Sequence, residues 1–414
     1  MPQRLPPALQ VRDFRFLWTA IFSMRFAENM IAVAIGWQVF AIRKDPLDLG
    51  LIGLAEFVPL LVLALPAGHI ADRLPRRVVA ACALTVMAGV SIGLLGVTLA
   101  GADVVWPYYV LAAVTGAASA TGWPAYQALT PEVVPPDLVA GAVALRSVAG
   151  QVAVISGPAV GGLIFAWKAE AVYAVAAALF GVAGISMAAL HVRPARGDAP
   201  VGVEGLVEGI RFVWRTRMLL GAITLDLFAV LVGGGIALLP IYARDILHVG
   251  PAGLGVLRAA PALGALGAAL ILARRPLRRS AGPTLITVVV LFGAANIVWG
   301  ASRWLPISLG ALAVAGFVDM ISVNIRSTTV ALVTPNELRG RVGAVEMVFI
   351  SASNELGAFE SGAVAAGVGA VATVVAGGIA TIGCGLAAIK TFPDLARMGR
   401  LEELRPEPAG TLAT

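Results

Sequence analysis

Charged side chains recur inside stretches of this sequence that are otherwise apolar. Arg25, Glu28, Asn29 and Ala32 are spaced to share one face of a helix. Asp319, Ser322, Arg326 and Thr329 follow one another at intervals of three, four and three, a single polar stripe from which Asn324 departs. Glu346, Ser353, Gly357 and Glu360 make a second stripe, with Glu355 pointing elsewhere. Asp226 and Arg146 each stand within an apolar run. Thr115, Ser119, Trp123 and Tyr126 form a polar-aromatic face; with Trp37 and Gln38 they could line a roomy site for an aromatic or macrocyclic ligand, or serve as a helix contact. Ionisable groups in hydrocarbon are costly, so each needs a partner or a task. The chemistry open to them is ion pairing and reversible protonation. Covalent catalysis is not indicated. His69, His191 and His248 are far apart, Cys82 and Cys384 lack metal-ligand spacing and read as packing residues, and no Gly-x-x-x-x-Gly-Lys phosphate loop occurs. The sequence therefore predicts no enzyme, no cofactor and no metal.

The elements that must position these groups follow from composition. Hydrophobic residues make up 59% of the 414 and charged residues 13%, too little charge for the surface of a soluble protein of this size. Apolar runs of membrane-spanning length cover 16–42, 49–70, 78–100, 105–130, 138–166, 169–191, 218–243, 251–273, 282–301, 304–332, 338–367 and 369–391. The expected fold is an all-α polytopic membrane protein with twelve transmembrane helices. Met1–Arg15 reads as a polar, basic lead into the first span, not as a cleaved signal peptide. If the spans alternate, arginines gather on one side. They precede the first span, follow the second and eighth, fill the segment after the sixth, open the eleventh and close the chain. The opposite side holds only Arg43, Lys44, Lys168, Arg244 and Arg303. This bias places both termini in the cytoplasm. The net charge of +6 is scattered over loops and does not indicate nucleic acid.

Residues 192–217 read as a cytoplasmic linker with a short amphipathic helix. Val203, Leu206, Val207, Ile210 and Trp214 take one face, and Glu204, Glu208, Arg211 and Arg215 the other, which suits the membrane interface. The linker separates residues 1–191 from 218–391, and 392–414 form a cytoplasmic tail. The two parts read as copies. Pro135-Pro136-Asp137-Leu138 matches Pro335-Asn336-Glu337-Leu338 at an offset of 200, and at the same offset Gly157–Gly162 falls on Gly357–Gly362. The charged turn Gly68–Arg77 has a degenerate partner near Arg274–Arg279. The sequence thus predicts two pseudo-symmetric six-helix halves.

Gly68, Asp72, Arg73, Arg76 and Arg77 make the pattern Gly-x-x-x-Asp-Arg-x-x-Arg-Arg between the second and third spans, which resembles motif A of the major facilitator superfamily. Gly157, Pro158, Gly161 and Gly162 in the fifth span resemble motif C, associated with the exporters of that superfamily. Arg12–Trp18, Gly36–Val39, Leu225–Val230, Leu338–Val342 and Asn354–Gly362 are similar to an enterobactin-exporter-like branch that includes macrolide and multidrug efflux proteins. The sequence departs from the drug antiporters in one respect. The span 105–130 carries no charge, so their usual arginine there (motif B) is absent.

The resemblance implies a monomeric transporter of the bacterial inner membrane that exports a hydrophobic small molecule against proton entry. A siderophore of the enterobactin type is favoured, and macrolide or multidrug efflux is the alternative. A non-transporting sensor or lipid-flipping protein on the same fold is a third reading. The expected proton-coupling residues are Glu28, Asp226, Asp319, Glu346 and Glu360, with Glu28 and Asp226 first. Arg25 could instead only neutralise Glu28. The expected cavity residues are Arg25, Trp37, Gln38, Ser119, Trp123, Tyr126, Ser322 and Arg326. Arg146 and Glu346, related by the same offset of 200, are expected either to pair across the halves or to stay half-solvated. Asp72 is expected to latch the cytoplasmic side against the start of the eleventh helix. Trp299 and Trp304 are expected in the interfacial belt.

Overall fold

A computed structural model of the chain describes residues 6–191, 203–275, 277 and 280–404; the side chains of 64–73, 203, 204, 206 and 403 fall outside that description. The long helices are α1 (Arg12–Arg43), α2 (Pro46–Arg73), α3 (Arg76–Leu99), α4 (Trp106–Val133), α5 (Val139–Trp167) and α6 (Ala169–Ala188). A linker helix, Val203–Arg215, leads into α7 (Arg217–Gly233), α8 (Gly250–Arg274), α9 (Ala281–Ala301), α10 (Leu305–Val333), α11 (Arg339–Val368) and α12 (Ala370–Thr391). Among the described residues, nine helices are long and apolar enough to cross a membrane. Helices α1, α4 and α11 are not among those nine. They contain Arg25, Glu28 and Asn29, the Thr115–Tyr126 polar-aromatic face, and Glu346, Glu355 and Glu360, respectively.

The chain divides into two compact units. One comprises Met1–Lys44, Leu51–Pro200 and His248–Ala259; the other comprises Asp45–Gly50, Val201–Leu247 and Ala260–Thr414. In the first, α1 packs on α5 and α6, and α3 on α4 and α6. In the second, α7 packs on α11 and α12, and α9 on α10 and α12. Adding six to each helix number converts the first set into the second.

The matching segments noted in the sequence make matching contacts. Leu138 N–H donates to the Pro135 carbonyl at 2.9 Å, and Leu338 N–H to Pro335 at 3.0 Å, so both copies form the same turn before a helix. Gly157 and Gly161 press α5 against Asn29 and Met30 of α1; a Cβ on either would stand 2.8 Å from those atoms. Gly357 brings α11 close to Leu231 of α7, where a Cβ would stand 3.0 Å from the carbonyl oxygen. Gly162 meets Pro251 and Gly255 at the start of α8, and Gly362 meets Pro46 and Gly50 at the start of α2. Without a hydrophobic difference between lipid and side chain, such close backbone approach is what dispersion needs to hold membrane helices together. Pro158 sits within α5 without ending it.

Three expectations change. The charged turn at Gly68–Arg77 is shorter than predicted, because α2 continues through Arg73 and only Leu74 and Pro75 separate it from α3. The seventh predicted span is broken. Helix α7 stops at Gly233; a 3-10 turn covers Gly235–Leu238, and a π-helical turn covers Tyr242–Ile246. The break lies in Gly233-Gly234-Gly235, and side chains satisfy the exposed backbone. Asn296 donates to the Gly233 carbonyl at 3.2 Å and Thr381 to that of Ala229 at 3.3 Å. Broken helices persist in a membrane only where such partners exist. Those partners also explain Trp299, which is not interfacial. It is 1% exposed, donates to Asn296 at 2.8 Å and packs its ring 4.7 Å from that of Tyr242. Trp304 is exposed, as an interfacial residue would be.

The linker helix also has buried contacts beyond the predicted apolar face. Phe212 and Val213 are buried with Leu219, Leu338, Val342 and Val345, while Val207 and Trp214 face outward. Gly209 lies against the backbone of Arg341, and Arg341 forms an ion pair with Glu208. After α12, the tail docks as well. Leu395, Met398 and Leu401 are buried, and the Ala281 and Gly282 N–H groups donate to Gly399 and Met398.

Helix α10 supplies its own control for the packing argument. A Cβ at Gly316 would fall on the carbonyl of Pro261, whereas one at Gly310 meets nothing within 4 Å. Gly316→Val is expected to abolish folded protein, and Gly310→Ala to leave yield and Tm unchanged, measured by fluorescence-detected size exclusion and thermal unfolding. A fully stable Gly316→Val variant would refute the close crossing.

Candidate functional site

Each unit holds an ionic cluster within its helices. In the second unit, Arg326 of α10 forms ion pairs with Asp226 of α7 and with Glu346 of α11, the latter through Nε at 3.2 Å. Arg326 is 4% exposed, and Asp226 and Glu346 are only slightly more so, at 13% and 16%. Guanidinium suits this position because its planar fork can serve two carboxylates at once, while an ammonium acts as a point charge. Ile223, Leu227, Phe349 and Ile350 surround the cluster. Three helices thus meet on one side chain. When all three groups are ionised, the cluster carries one more negative charge than positive.

Asp319 lies on the same face of α10 as Arg326. Seven residues separate them, almost two helical turns or about 10 Å. Among the described residues Asp319 has no ion-pair partner. Ser322 and Thr329, of the same stripe, are buried; Thr329 donates to the Ile325 carbonyl at 2.8 Å. Glu360 lies further along α11, where it accepts a long hydrogen bond from Ser361 at 3.5 Å.

In the first unit, Arg25 forms a 3.3 Å ion pair with Glu28, one helical turn away. Its guanidinium also lies over the Trp123 ring, 4.3 Å from the centroid. Helix α4 has no charge of its own over 105–130, so this guanidinium of α1 is a cation brought against it. Asn29 caps the arrangement by donating to the Arg25 carbonyl at 2.8 Å. Tyr126 is buried one turn beyond Trp123, and Ser119 is half-buried on the preceding turn. Trp18, Phe22 and Phe26 stack along α1 at 5.7 Å intervals, and Trp18 donates to the Leu145 carbonyl at 3.2 Å.

Other sequence-predicted residues have different surroundings. Gln38 donates to Thr98 at 3.1 Å and accepts from Tyr173 at 2.7 Å, so it links α1, α3 and α6 and its polar atoms are engaged. Trp37 is half-buried on the same turn. Arg146 donates to Thr130 at 2.8 Å and Glu346 belongs to the Arg326 cluster, so each is engaged within its own unit. Of the motif A residues, Arg76 forms an ion pair with Glu132 at the end of α4, and Arg77 donates to the Leu190 carbonyl at 2.6 Å, just past the end of α6. A cation at that terminus meets the negative end of the helix dipole. The side chains of Gly68, Asp72 and Arg73 lie outside the described residues.

Two intramembrane charges were passed over in the sequence reading. Arg258 of α8 donates to the Ala32 carbonyl of α1 at 2.6 Å. Glu56 lies in α2, where its backbone meets Gly116 of α4. The same signal that singled out Arg25, a charge inside an apolar run, would have found both.

A bundle of apolar helices carrying ion pairs on α1 and across α7, α10 and α11 fits a membrane transporter, and its sequence relatives make it one of the major facilitator type. The chain belongs to the transmembrane secretion effector family, whose model matches residues 5–404. It is 30% identical over 389 residues to the multidrug efflux pump Tap of Mycobacterium tuberculosis, covering 88% of this chain and 89% of that one. A transporter of the same superfamily from Bacillus subtilis, YfiS, is 25% identical over 301 residues, covering 69% and 67%. Among solved structures, a bacterial homologue of the human lysosomal transporter Spinster, inward-facing and unoccupied, superposes with a TM-score of 0.70 at 15% identity, over 96% of this chain and 99% of that chain. The nucleoside transporter NupG does so at 0.67 and 15%, over 92% and 99%. These two likenesses concern the fold.

Breaking the Arg326 cluster should be costly. Arg326→Gln leaves two buried carboxylates facing each other and is expected to cost about 3–5 kcal/mol. Adding Asp226→Asn should recover part of the loss. Thermal unfolding in detergent reads both, and an Arg326→Gln variant as stable as the parent would show that the cluster holds nothing together.

Proposed function

We propose that this protein exports hydrophobic, drug-like molecules, with a preference for cations, in exchange for protons. The observation that carries the proposal is the charge balance of the second unit. Asp226, Glu346 and Asp319 stand against the single guanidinium of Arg326, and Asp319 has no ion-pair partner among the described residues. A carboxylate in low dielectric with no fixed cation favours a proton or a cationic ligand. This balance supports multidrug efflux over the anionic siderophore, and the relationship to the Tap efflux pump points the same way. Asp319 replaces Glu28 and Asp226 as the first proton-site candidate, since those two are engaged by Arg25 and Arg326.

In this reading the chain has twelve spans in two six-helix halves, 1–191 and 218–391, joined by the 192–217 linker. It lies in the bacterial inner membrane with both termini in the cytoplasm and works as a monomer. Alternating access brings Asp319 into contact with each side in turn. A proton bound from one side neutralises it, and proton release toward the other re-creates the site for a cation. Trp123, half-buried with Arg25 over its ring, gives the first half an aromatic surface for a planar ligand.

The test is transport in proteoliposomes. Wild-type protein is expected to move ethidium against an imposed pH gradient. Asp319→Asn should lose gradient-driven movement at least about tenfold while keeping ethidium binding, since the amide cannot cycle a proton. Normal pumping by Asp319→Asn would remove that residue from the mechanism. Wild-type transport that ignores the pH gradient would end the antiport reading, and a catecholate siderophore moved in preference to ethidium would reverse the order of substrates.

A further inference from the structure

The linker helix, the first turns of α7, α11 and Phe392 enclose an apolar cavity of about 330 Å³. It lies wholly within the second unit. Its walls include Trp214, Leu220, Thr224, Phe228, Val345 and Phe392. Trp214 is 65% exposed and Phe228 is 45% exposed, so the mouth opens outward between the linker helix and α7. Val207, also exposed, extends the apolar surface along the linker helix.

The rim of this cavity is cationic. Arg211 lies one helical turn before Trp214 on the linker helix, and Arg217 lies one turn before Leu220 on α7. Both arginines are exposed, and among the described residues neither has an ion-pair partner. Glu208, the described carboxylate of the linker helix, is taken by Arg341. The linker helix is held in place by Gly209, which lies against the backbone of Arg341 of α11, and by Phe212, buried in a cluster with Leu219, Leu338 and Val342. From Leu220 to Phe228 the apolar wall of α7 runs about 12 Å along the helix.

We infer that this cavity holds an acyl chain of an anionic bilayer phospholipid, with its phosphate at Arg211 and Arg217. A linear apolar slot that opens to hydrocarbon beside two unpaired arginines is complementary to a lipid on both counts. Basic side chains at a membrane surface select anionic over zwitterionic lipid. The cavity shares Ile223, Leu227 and Phe349 with the surroundings of the Arg326 cluster, but the lipid assignment does not depend on the export reading.

The test uses full-length protein in phosphatidylcholine bilayers that contain increasing fractions of dibrominated phosphatidylglycerol or dibrominated phosphatidylcholine. Bromine on the acyl chain quenches nearby tryptophan, and the difference between parent and Trp214→Phe isolates the Trp214 signal. Half-quenching is expected at a several-fold lower fraction of the phosphatidylglycerol, on the order of 5-fold for each arginine engaged. Arg211→Gln with Arg217→Gln, both exposed positions, should abolish the preference. Thr224→Phe, which fills the slot, should weaken quenching by both lipids. Equal quenching by the two lipids in the parent would overturn the proposal, as would a preference that survives the double arginine variant. An unchanged response in Thr224→Phe would exclude the cavity as the acyl site.

Discussion

The second unit depends on one guanidinium. Moving an ion from water to a low-dielectric interior costs several kcal/mol even after relaxation. Arg326 and the two acids it pairs with are tolerable there only because each offsets the others. The consequence is mechanical. Arg326 belongs to α10, Asp226 to α7 and Glu346 to α11, so separating those helices at this level uncovers charge. Hydrophobic contacts alone would not give that resistance, since lipid solvates apolar surface as well as a neighbouring helix does. The remaining contacts provide close fit. Gly357 brings α11 onto α7 near the break at Gly233–Gly235, and Asn296 and Thr381 satisfy the backbone freed or crowded there.

The first unit meets the same constraint differently. Arg25 is paired within its own helix, to Glu28 one turn away, and its other surface is spent on the Trp123 ring. That pair is neutral and about 30% exposed on each side, so it binds the helices less tightly than Arg326 does. The two clusters occupy equivalent helices by the sixfold numbering shift, α1 and α7, yet one is local and the other spans three helices. A repeat can therefore preserve its packing, as the glycine contacts do, while its charges diverge. Such divergence allows one half to present an aromatic surface and the other an excess of carboxylate.

Much of this was legible in the sequence, for identifiable reasons. Period and length gave the helices, and a charge inside an apolar run marked Arg25, Asp226, Arg326 and Glu346. The offset of 200 anticipated a turn and two glycine contacts, at Gly157/Gly357 and Gly162/Gly362, that recur in both units. What stayed hidden was partner choice. Arg326 and Glu346 were both identified, but the offset left Glu346 either facing Arg146 or half-solvated, because an offset relates equivalent positions and does not say which side chains meet. The anchoring of the linker helix was hidden because Phe212 and Val213 lie outside the predicted apolar set and only tertiary packing shows what buries them. Trp299 looked interfacial because it stands near a helix end. Its burial follows from the break in α7, which three consecutive glycines permit and no periodicity announces.

The broken α7 bears on how such a bundle could move. Helix α7 contributes Asp226 to the ion cluster, and seven residues later it loses its regular hydrogen bonding. Beyond Gly235 the chain is held by Tyr242, which donates to the Gly300 carbonyl at 2.7 Å and packs on Trp299. The segment past the break is thus anchored to α9, and the segment before it to α10 and α11. A helix anchored at both ends and weakened between them concentrates any bend at Gly233–Gly235. Charge pairing fixes where α7 is held, and glycine fixes where it yields.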